Sequence, residues 1–227
     1  IDDETGDLVV GDVSAPGARR LTHVAKGREW EDCADTPVWS PEGRRIAYVW
    51  YRDAGRREGT RELRVVDAVT GASKSVPFDP RYRADDAAAW SREGDELLVT
   101  ATALADERRT VLAWAPLTGG ELRVLAHFQS PRRPGWAQLS PDGRWVAYRD
   151  WTINDESDDT IVVMPSAGGA SSVVMRASYS DRVAGWSGDG RQLVLHSSTT
   201  GQLAVLPIRE GRAAGEKVPI RHIAGAW

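Results

Sequence analysis

The sequence predicts an all-β fold, a β-propeller. Three observations predict it: a turn phrase recurring about every 50 residues, a second phrase recurring in register with it, and apolar residues spaced two apart. The turn phrase stands four times, as Trp39-Ser40-Pro41-Glu42-Gly43, Trp90-Ser91-Arg92-Glu93-Gly94, Leu139-Ser140-Pro141-Asp142-Gly143 and Trp186-Ser187-Gly188-Asp189-Gly190. Ser40 to Ser91 is 51 residues, Ser91 to Ser140 is 49 and Ser140 to Ser187 is 47. A fixed period of this length marks a repeat architecture in which each repeat is one supersecondary unit.

Each phrase follows a short apolar run and precedes an alternating one, such as Arg45-Ile46-Ala47-Tyr48-Val49-Trp50 or Arg144-Trp145-Val146-Ala147-Tyr148, so it joins a first strand to a second. The residue after the serine suits the first central turn position, the acid follows, and glycine supplies the left-handed conformation that closes a hairpin. A second phrase ends the third strand: Val65-Val66-Asp67-Ala68-Val69-Thr70-Gly71, Ala113-Trp114-Ala115-Pro116-Leu117-Thr118-Gly119-Gly120, and Val162-Val163-Met164-Pro165-Ser166-Ala167-Gly168-Gly169. The fourth unit has Val205-Leu206-Pro207 with Gly211. A short fourth strand follows each turn, at residues 74–76, 121–126, 171–175 and 216–220. Four strands per unit make a propeller blade.

First strands are rich in small residues, as in Ala87-Ala88-Ala89, Val183-Ala184-Gly185 and Ala224-Gly225-Ala226, which suits strands crowding toward one axis. No segment of comparable length has the 3.6 spacing of an amphipathic helix. Residues 6–17 match a third strand with its turn and residues 19–24 a fourth, while residues 223–227 read as a lone first strand. The expected fold is one domain over residues 1–227. It has four complete four-stranded blades, at approximately 36–77, 86–127, 134–176 and 182–221, plus a fifth composite blade made of 6–24 with 223–227. That makes either a five-bladed ring or a fragment of a larger propeller.

The composition, 41% hydrophobic and 27% charged, is that of an ordinary globular chain. No apolar run approaches the roughly 18 residues of a membrane helix, so membrane insertion is not expected. A net charge of −4 argues against a general nucleic-acid binder, which needs a basic surface to neutralise phosphates. Cys33 is the one cysteine, which excludes an internal disulfide and a cysteine-built zinc site.

The Trp-Ser-Pro-Asp/Glu-Gly phrase, an alternating strand, and an Asp/Pro-x-x-Thr-Gly-Gly turn together resemble the WD-like propeller repeat of the TolB family. The same repeat occurs in the propellers of prolyl-oligopeptidase-type peptidases and tricorn-type proteases. The resemblance covers nearly the whole chain. It implies binding work: TolB-like proteins are scaffolds for cell-envelope partners, and peptidase propellers gate access to a separate catalytic domain. It also implies a periplasmic or extracytoplasmic location, with a cytoplasmic one left open. The helical domain that accompanies the TolB propeller is not visible in this sequence.

Nothing in the residues marks an active site. A serine hydrolase needs a Gly-x-Ser-x-Gly elbow. Ser187 is the nearest imitation, and it stands on the repeated turn. The Ser-x-Asp-x-Gly-x-Thr-Trp repeat of sialidase-type propellers differs in spacing. Asp35, Asp86 and Asp181 lie four, four and five residues before a first-strand tryptophan and would ring one mouth of the channel, either anchoring the inner strands or serving a ligand; a glycosidase acid pair is a third reading. His23, His127, His196 and His222 are too scattered in sequence for a metal site, and no cofactor or metal is expected. Trp39, Trp90 and Trp186 recur at the blade period and should pack between blades, whereas Trp30, Trp136 and Trp151 fall outside it and are candidates for contact.

Chain alternation puts the second-to-third-strand and blade-to-blade loops on one face, where length and charge vary. Arg52, Arg56 and Arg57 lie in one such loop. Asp150, Asp155, Glu156, Asp158 and Asp159 lie in another, which lacks the spacing of a dedicated calcium loop. With Trp136 and Trp151, these residues are the candidate contacts for a protein or peptide. The leading expectation is thus a non-catalytic scaffold. Its alternatives are the gating propeller of a larger serine peptidase and a propeller glycosidase.

Overall fold

A computed structural model describes residues 1–14, 17–25, 27–28, 31–53, 59–153, 155–178 and 180–220, the side chains of 155–157 excepted. They form two compact units, Ile1–His127 and Phe128–Trp227, built of antiparallel sheets. No helix of the described residues is long and apolar enough to cross a membrane.

The first unit begins with a two-stranded sheet, β1 (Val9–Gly11) and β2 (Ala18–Arg20). The first blade follows in the order β3 (Cys33–Trp39), β4 (Arg45–Arg52), β5 (Thr60–Asp67) and β6 (Ser73–Ser75). The second is β7 (Tyr82–Trp90), β8 (Glu96–Ala103), β9 (Arg109–Pro116) and β10 (Arg123–Gln129). In the second unit the third blade is β11 (Arg132–Leu139), β12 (Trp145–Thr152), β13 (Asp155–Pro165) and β14 (Ser172–Arg176). The fourth is β15 (Asp181–Trp186), β16 (Gln192–Ser197) and β17 (Leu203–Arg209), whose outer edge is shared by β18 (Arg212–Ala213) and β19 (Val218–Pro219).

The fold is the expected all-β one, with two differences in detail. The outer strand expected at 216–220 is the shorter β19, which pairs with Ala204 and Val205, and a further two-residue strand before it, β18, pairs with Ile208 and Arg209. Pro207 stands between the two pairings and has no N–H to offer a neighbouring strand. At the N-terminus, β1 and β2 are the third-and-fourth-strand pair read from residues 6–24, and the first strand expected at 223–227 lies outside the described residues.

The recurring phrase works as a hydrogen-bonded clamp. The serine hydroxyl accepts the N–H five residues on, from Arg45 to Ser40 at 2.9 Å, Glu96 to Ser91 at 3.0 Å, Trp145 to Ser140 at 2.9 Å and Gln192 to Ser187 at 3.0 Å. In the third and fourth blades the same hydroxyl donates to the acid, Asp142 or Asp189, at 2.6 Å. Each closing glycine donates its N–H to the serine carbonyl and sits at positive φ, 69° at Gly43 and 73° at Gly143.

Strand alternation feeds two cores at once. Along β4, Ile46, Tyr48 and Trp50 pack with Leu8, Leu21 and Val66. Ala47 and Val49 face the other way, among Leu63, Trp90, Leu97 and Val99. The sheet is therefore buried on both faces, each large side chain adding about 1.5–3 kcal/mol. In the second unit, Ala147, Ile161 and Val163 of the third blade pack with Val183, Leu193 and Leu195 of the fourth.

Two tryptophans tie neighbouring blades as expected. Trp90 Nε1 donates to the Val38 carbonyl at 2.9 Å, and Trp186 Nε1 to the Gln138 carbonyl at 3.2 Å. Each acceptor lies one residue before the repeat position of the tryptophan. The Arg45 guanidinium covers Trp90, 4.6 Å from the ring centre. Trp39 departs from the expectation: it is 49% exposed, because no described strand covers it.

A buried carboxylate closes the second blade. Asp79 is 1% exposed, pairs with Arg81 at 2.8 Å and accepts the Leu122 N–H at 3.0 Å. The Arg81 hydrogen bonds hold its carboxyl well below the ordinary range, against the opposing effect of burial.

Three outcomes are expected. Gly43→Ala meets no neighbouring atom and should cost only the left-handed backbone strain, about 1–2 kcal/mol by urea unfolding. Gly211→Ala, also at positive φ, should cost distinctly more, because the Trp145 ring stands where the new Cβ would go. Asp79→Asn should destabilise the protein at neutral pH by about 1.5–3 kcal/mol. A depressed folded-state pKa stabilises above the unfolded value of about 3.9 and ceases to as pH falls through the folded value, so the gap between wild type and variant in urea midpoint should shrink on acidification below about pH 4.

Candidate binding site

Each of the four described first strands is interrupted by a β-bulge: between Asp35 and Val38, Ala84 and Asp86, Gly135 and Gln138, and Val183 and Gly185. A bulge re-aims the side chains it carries. Four residues before the turn serine stand Thr36, Ala87, Trp136 and Val183, and two of these are left-handed, Thr36 at φ 48° and Trp136 at φ 49°. Thr36 has a structural reason for its strain, since its hydroxyl accepts the Ala87 N–H of the next blade at 3.1 Å. Trp136 makes no such bond and is 39% exposed. A bulky residue in this region costs on the order of 1–3 kcal/mol and is most often found where function requires it.

Trp136 is the centre of a cluster in the second unit. The Arg182 guanidinium lies over its ring at 4.6 Å and that of Arg149 at 5.4 Å. Trp151 sits beside it with ring centres 6.5 Å apart and planes inclined at 44°. Gly135 makes room for Trp151, whose Nε1 would lie 3.1 Å from any Cβ placed there. The two tryptophans singled out from the sequence thus come together.

The acidic segment is not the open loop expected. β12 runs to Thr152 and β13 begins at Asp155, which lies opposite Thr152, so most of residues 150–159 are hairpin. Asp159 is 2% exposed, pairs with the equally buried Arg149 and accepts the Thr152 N–H at 2.9 Å. It holds the hairpin closed and presents nothing to a partner. Asp150 pairs with Arg132 at 2.9 Å, and burial lifts its carboxyl above the ordinary range while Arg132 opposes the rise. Asp158 is exposed, Asp155 and Glu156 lie in β13, and the side chains of the last two are outside the described residues.

Arg52 ends β4 in the first unit, 54% exposed, with its Nε 4.0 Å from a Glu62 oxygen. Arg56, Arg57 and Trp30 fall outside the described residues. Asp35 and Asp86 occupy equivalent positions, five residues before the turn serine, and belong to one carboxylate group with Asp85. Burial raises the Asp86 carboxyl, the Thr100 hydroxyl at 2.9 Å opposes this, and the charges of Asp85 and Asp35 add to it. Asp85 is held by Arg61 at 2.5 Å, and burial pushes the neighbouring Tyr51 hydroxyl up to about 12. Asp181 does not share this register: Arg182 takes the equivalent position, and Asp181 is buried, bound to the Ser178 N–H at 3.0 Å and to Lys217 at 3.3 Å. Its role is to anchor the start of β15.

The described residues contain no group of three or more His, Cys, Asp or Glu able to hold a metal ion. A cleft of about 790 Å³ opens in the second unit among Asp142, Trp145, Asp189 and Arg209. It lies at the repeated turns, where Ser187 bonds Asp189 and Gln192 and has no histidine partner among the described residues. Sequence reasoning missed Arg149 and Arg182. Their signal was available in the repeat register: Arg149 stands where the first two blades have Val49 and Thr100, and Arg182 where they have Asp35 and Asp86.

No protein-family model matches the chain, and no curated protein matches it. Solved structures do. TolB from Acinetobacter baumannii superposes with a TM-score of 0.67 at 16% identity, covering 94% of this chain and 48% of that one. A chain of a nidogen–laminin complex gives 0.66 at 13% identity, with 94% and 74% covered. The β-propeller domain of the Trilobed protease from Pyrococcus furiosus gives 0.51 at 16%, with 93% and 61% covered. This chain therefore spans about half the length of the TolB structure it matches. TolB and a protease propeller both appear among these structures, and identities this low speak for the fold alone. The chain has the fold of the TolB-like β-propellers.

Proposed function

We propose that this propeller is a non-catalytic scaffold that binds a protein or peptide partner on the face carrying the blade-to-blade and second-to-third-strand connections. The observation that supports this most directly is Trp136: an exposed indole on a strained bulge, braced by Arg149 and Arg182 and flanked by Trp151. Tryptophan and arginine are the residues most enriched among those that dominate interface energies, and strain is tolerated where binding needs a preset side chain. Trp151 and Arg182 lie at the ends of β12 and β15 remote from the repeated serine turns, and Trp136 and Arg149 stand near the middle of β11 and β12. The likeness to a propeller in a nidogen–laminin complex is consistent with such a role. The likeness to a protease propeller supports a second reading, in which the same face gates access to a catalytic domain elsewhere in a longer protein. A periplasmic or extracytoplasmic location accords with both.

Affinity capture from a cell extract tests the first reading. Wild type and Arg144→Ala, a substitution at the serine-turn end, should retain the same partner, and Trp136→Ala with Trp151→Ala should lose it. Identical capture by all three proteins would overturn the proposal.

A further inference from the structure

We infer that the Trp136 cluster recognises an acidic peptide, with Arg133 and Arg182 as the residues that receive its carboxylates. The inference rests on the proposed partner-binding role and deepens it. Four guanidiniums gather at this end of the third and fourth blades, and two of them already have acids: Arg132 pairs with Asp150, and Arg149 with Asp159. Arg133 and Arg182 have no carboxylate partner among the described residues, and the Nε of each is buried with no acceptor. With the Nε of each shielded, an incoming carboxylate meets these guanidiniums at their terminal nitrogens. A guanidinium fork matches a carboxylate in two parallel hydrogen bonds.

The two unpaired arginines bracket the aromatic pair. Arg133 lies directly opposite Trp151 across the β11–β12 ladder, so their side chains share a face. Arg182, on β15, lies over Trp136. The order Arg133, Trp151, Trp136, Arg182 is a path with a positive group at each end and apolar surface between. An extended peptide with two acids separated by apolar side chains complements that order. A sugar or a nucleobase would need an open aromatic face, and guanidiniums lie over the Trp136 ring while the two indoles are inclined at 44°.

Fluorescence anisotropy with the full chain and labelled synthetic peptides tests this. A Glu- and Asp-rich peptide with interspersed Phe should bind, should weaken as salt rises, and should lose about tenfold in affinity with either Arg133→Gln or Arg182→Gln. Arg182→Lys should also weaken it, since the ammonium keeps the charge and loses the fork. Circular dichroism should show every variant folded. Equal binding of the Gln and Asn version of the peptide would overturn the acidic assignment and leave the peptide-binding role standing. Binding of a uronic-acid trisaccharide, with no peptide bound, would overturn the assignment to peptides. Silence from every peptide, together with partner capture indifferent to Trp136, would overturn both this inference and the function it rests on.

Discussion

The structure depends on one small interaction repeated four times, the serine clamp between the first and second strands of each blade. The hydroxyl accepts a backbone N–H five residues on, and a left-handed glycine turns its own N–H back to the serine carbonyl. That fixes the register of the first hairpin. Register in turn decides which alternate residues point to which side, and a slip of one would send every apolar side chain to the wrong face. Because β4 supplies Tyr48 and Trp50 to one core and Ala47 and Val49 to another, there is no spare face on which an error would be harmless.

A scaffold fixed in this way leaves few positions free to differ, and the differences are informative. The first-strand bulge recurs in all four blades, and the residues around it change character. At one repeat position threonine bridges to the next blade while tryptophan projects outward; at the neighbouring one, aspartate in the first and second blades gives way to arginine in the fourth. The clamp and the core demand sameness, whereas the bulged end of the blade tolerates change because its backbone is already held by strand pairing further along. Binding chemistry accumulates there for the same reason that it accumulates on loops of other rigid folds.

Charge was the least legible property. Reading residues 150–159 as an acidic surface loop treated carboxylates as if they faced water, yet Asp159 is buried against Arg149 and Asp150 is tied to Arg132. Both partners sit on strands whose register with the acids only pairing establishes. Asp181 likewise looked like a member of a ring with Asp35 and Asp86, but one residue of offset turns it inward to Lys217 and the Ser178 N–H. In a β-fold a single position separates a solvent-facing acid from a buried one.

The sequence by itself determined the blade: its period, its strand count, the turn that joins its first two strands, and the tryptophans that tie one blade to the next. These are local or nearest-neighbour matters, set by residues within a few positions of one another and repeated in register. Tertiary structure decided what gathers at the bulged ends. Trp136 with Trp151, and Arg149 and Arg182 over the same indole, join residues from three strands of two blades. Their meeting depends on the bulge at Gly135 and on the stacking of one sheet against the next, and neither has a signature in any single stretch of chain.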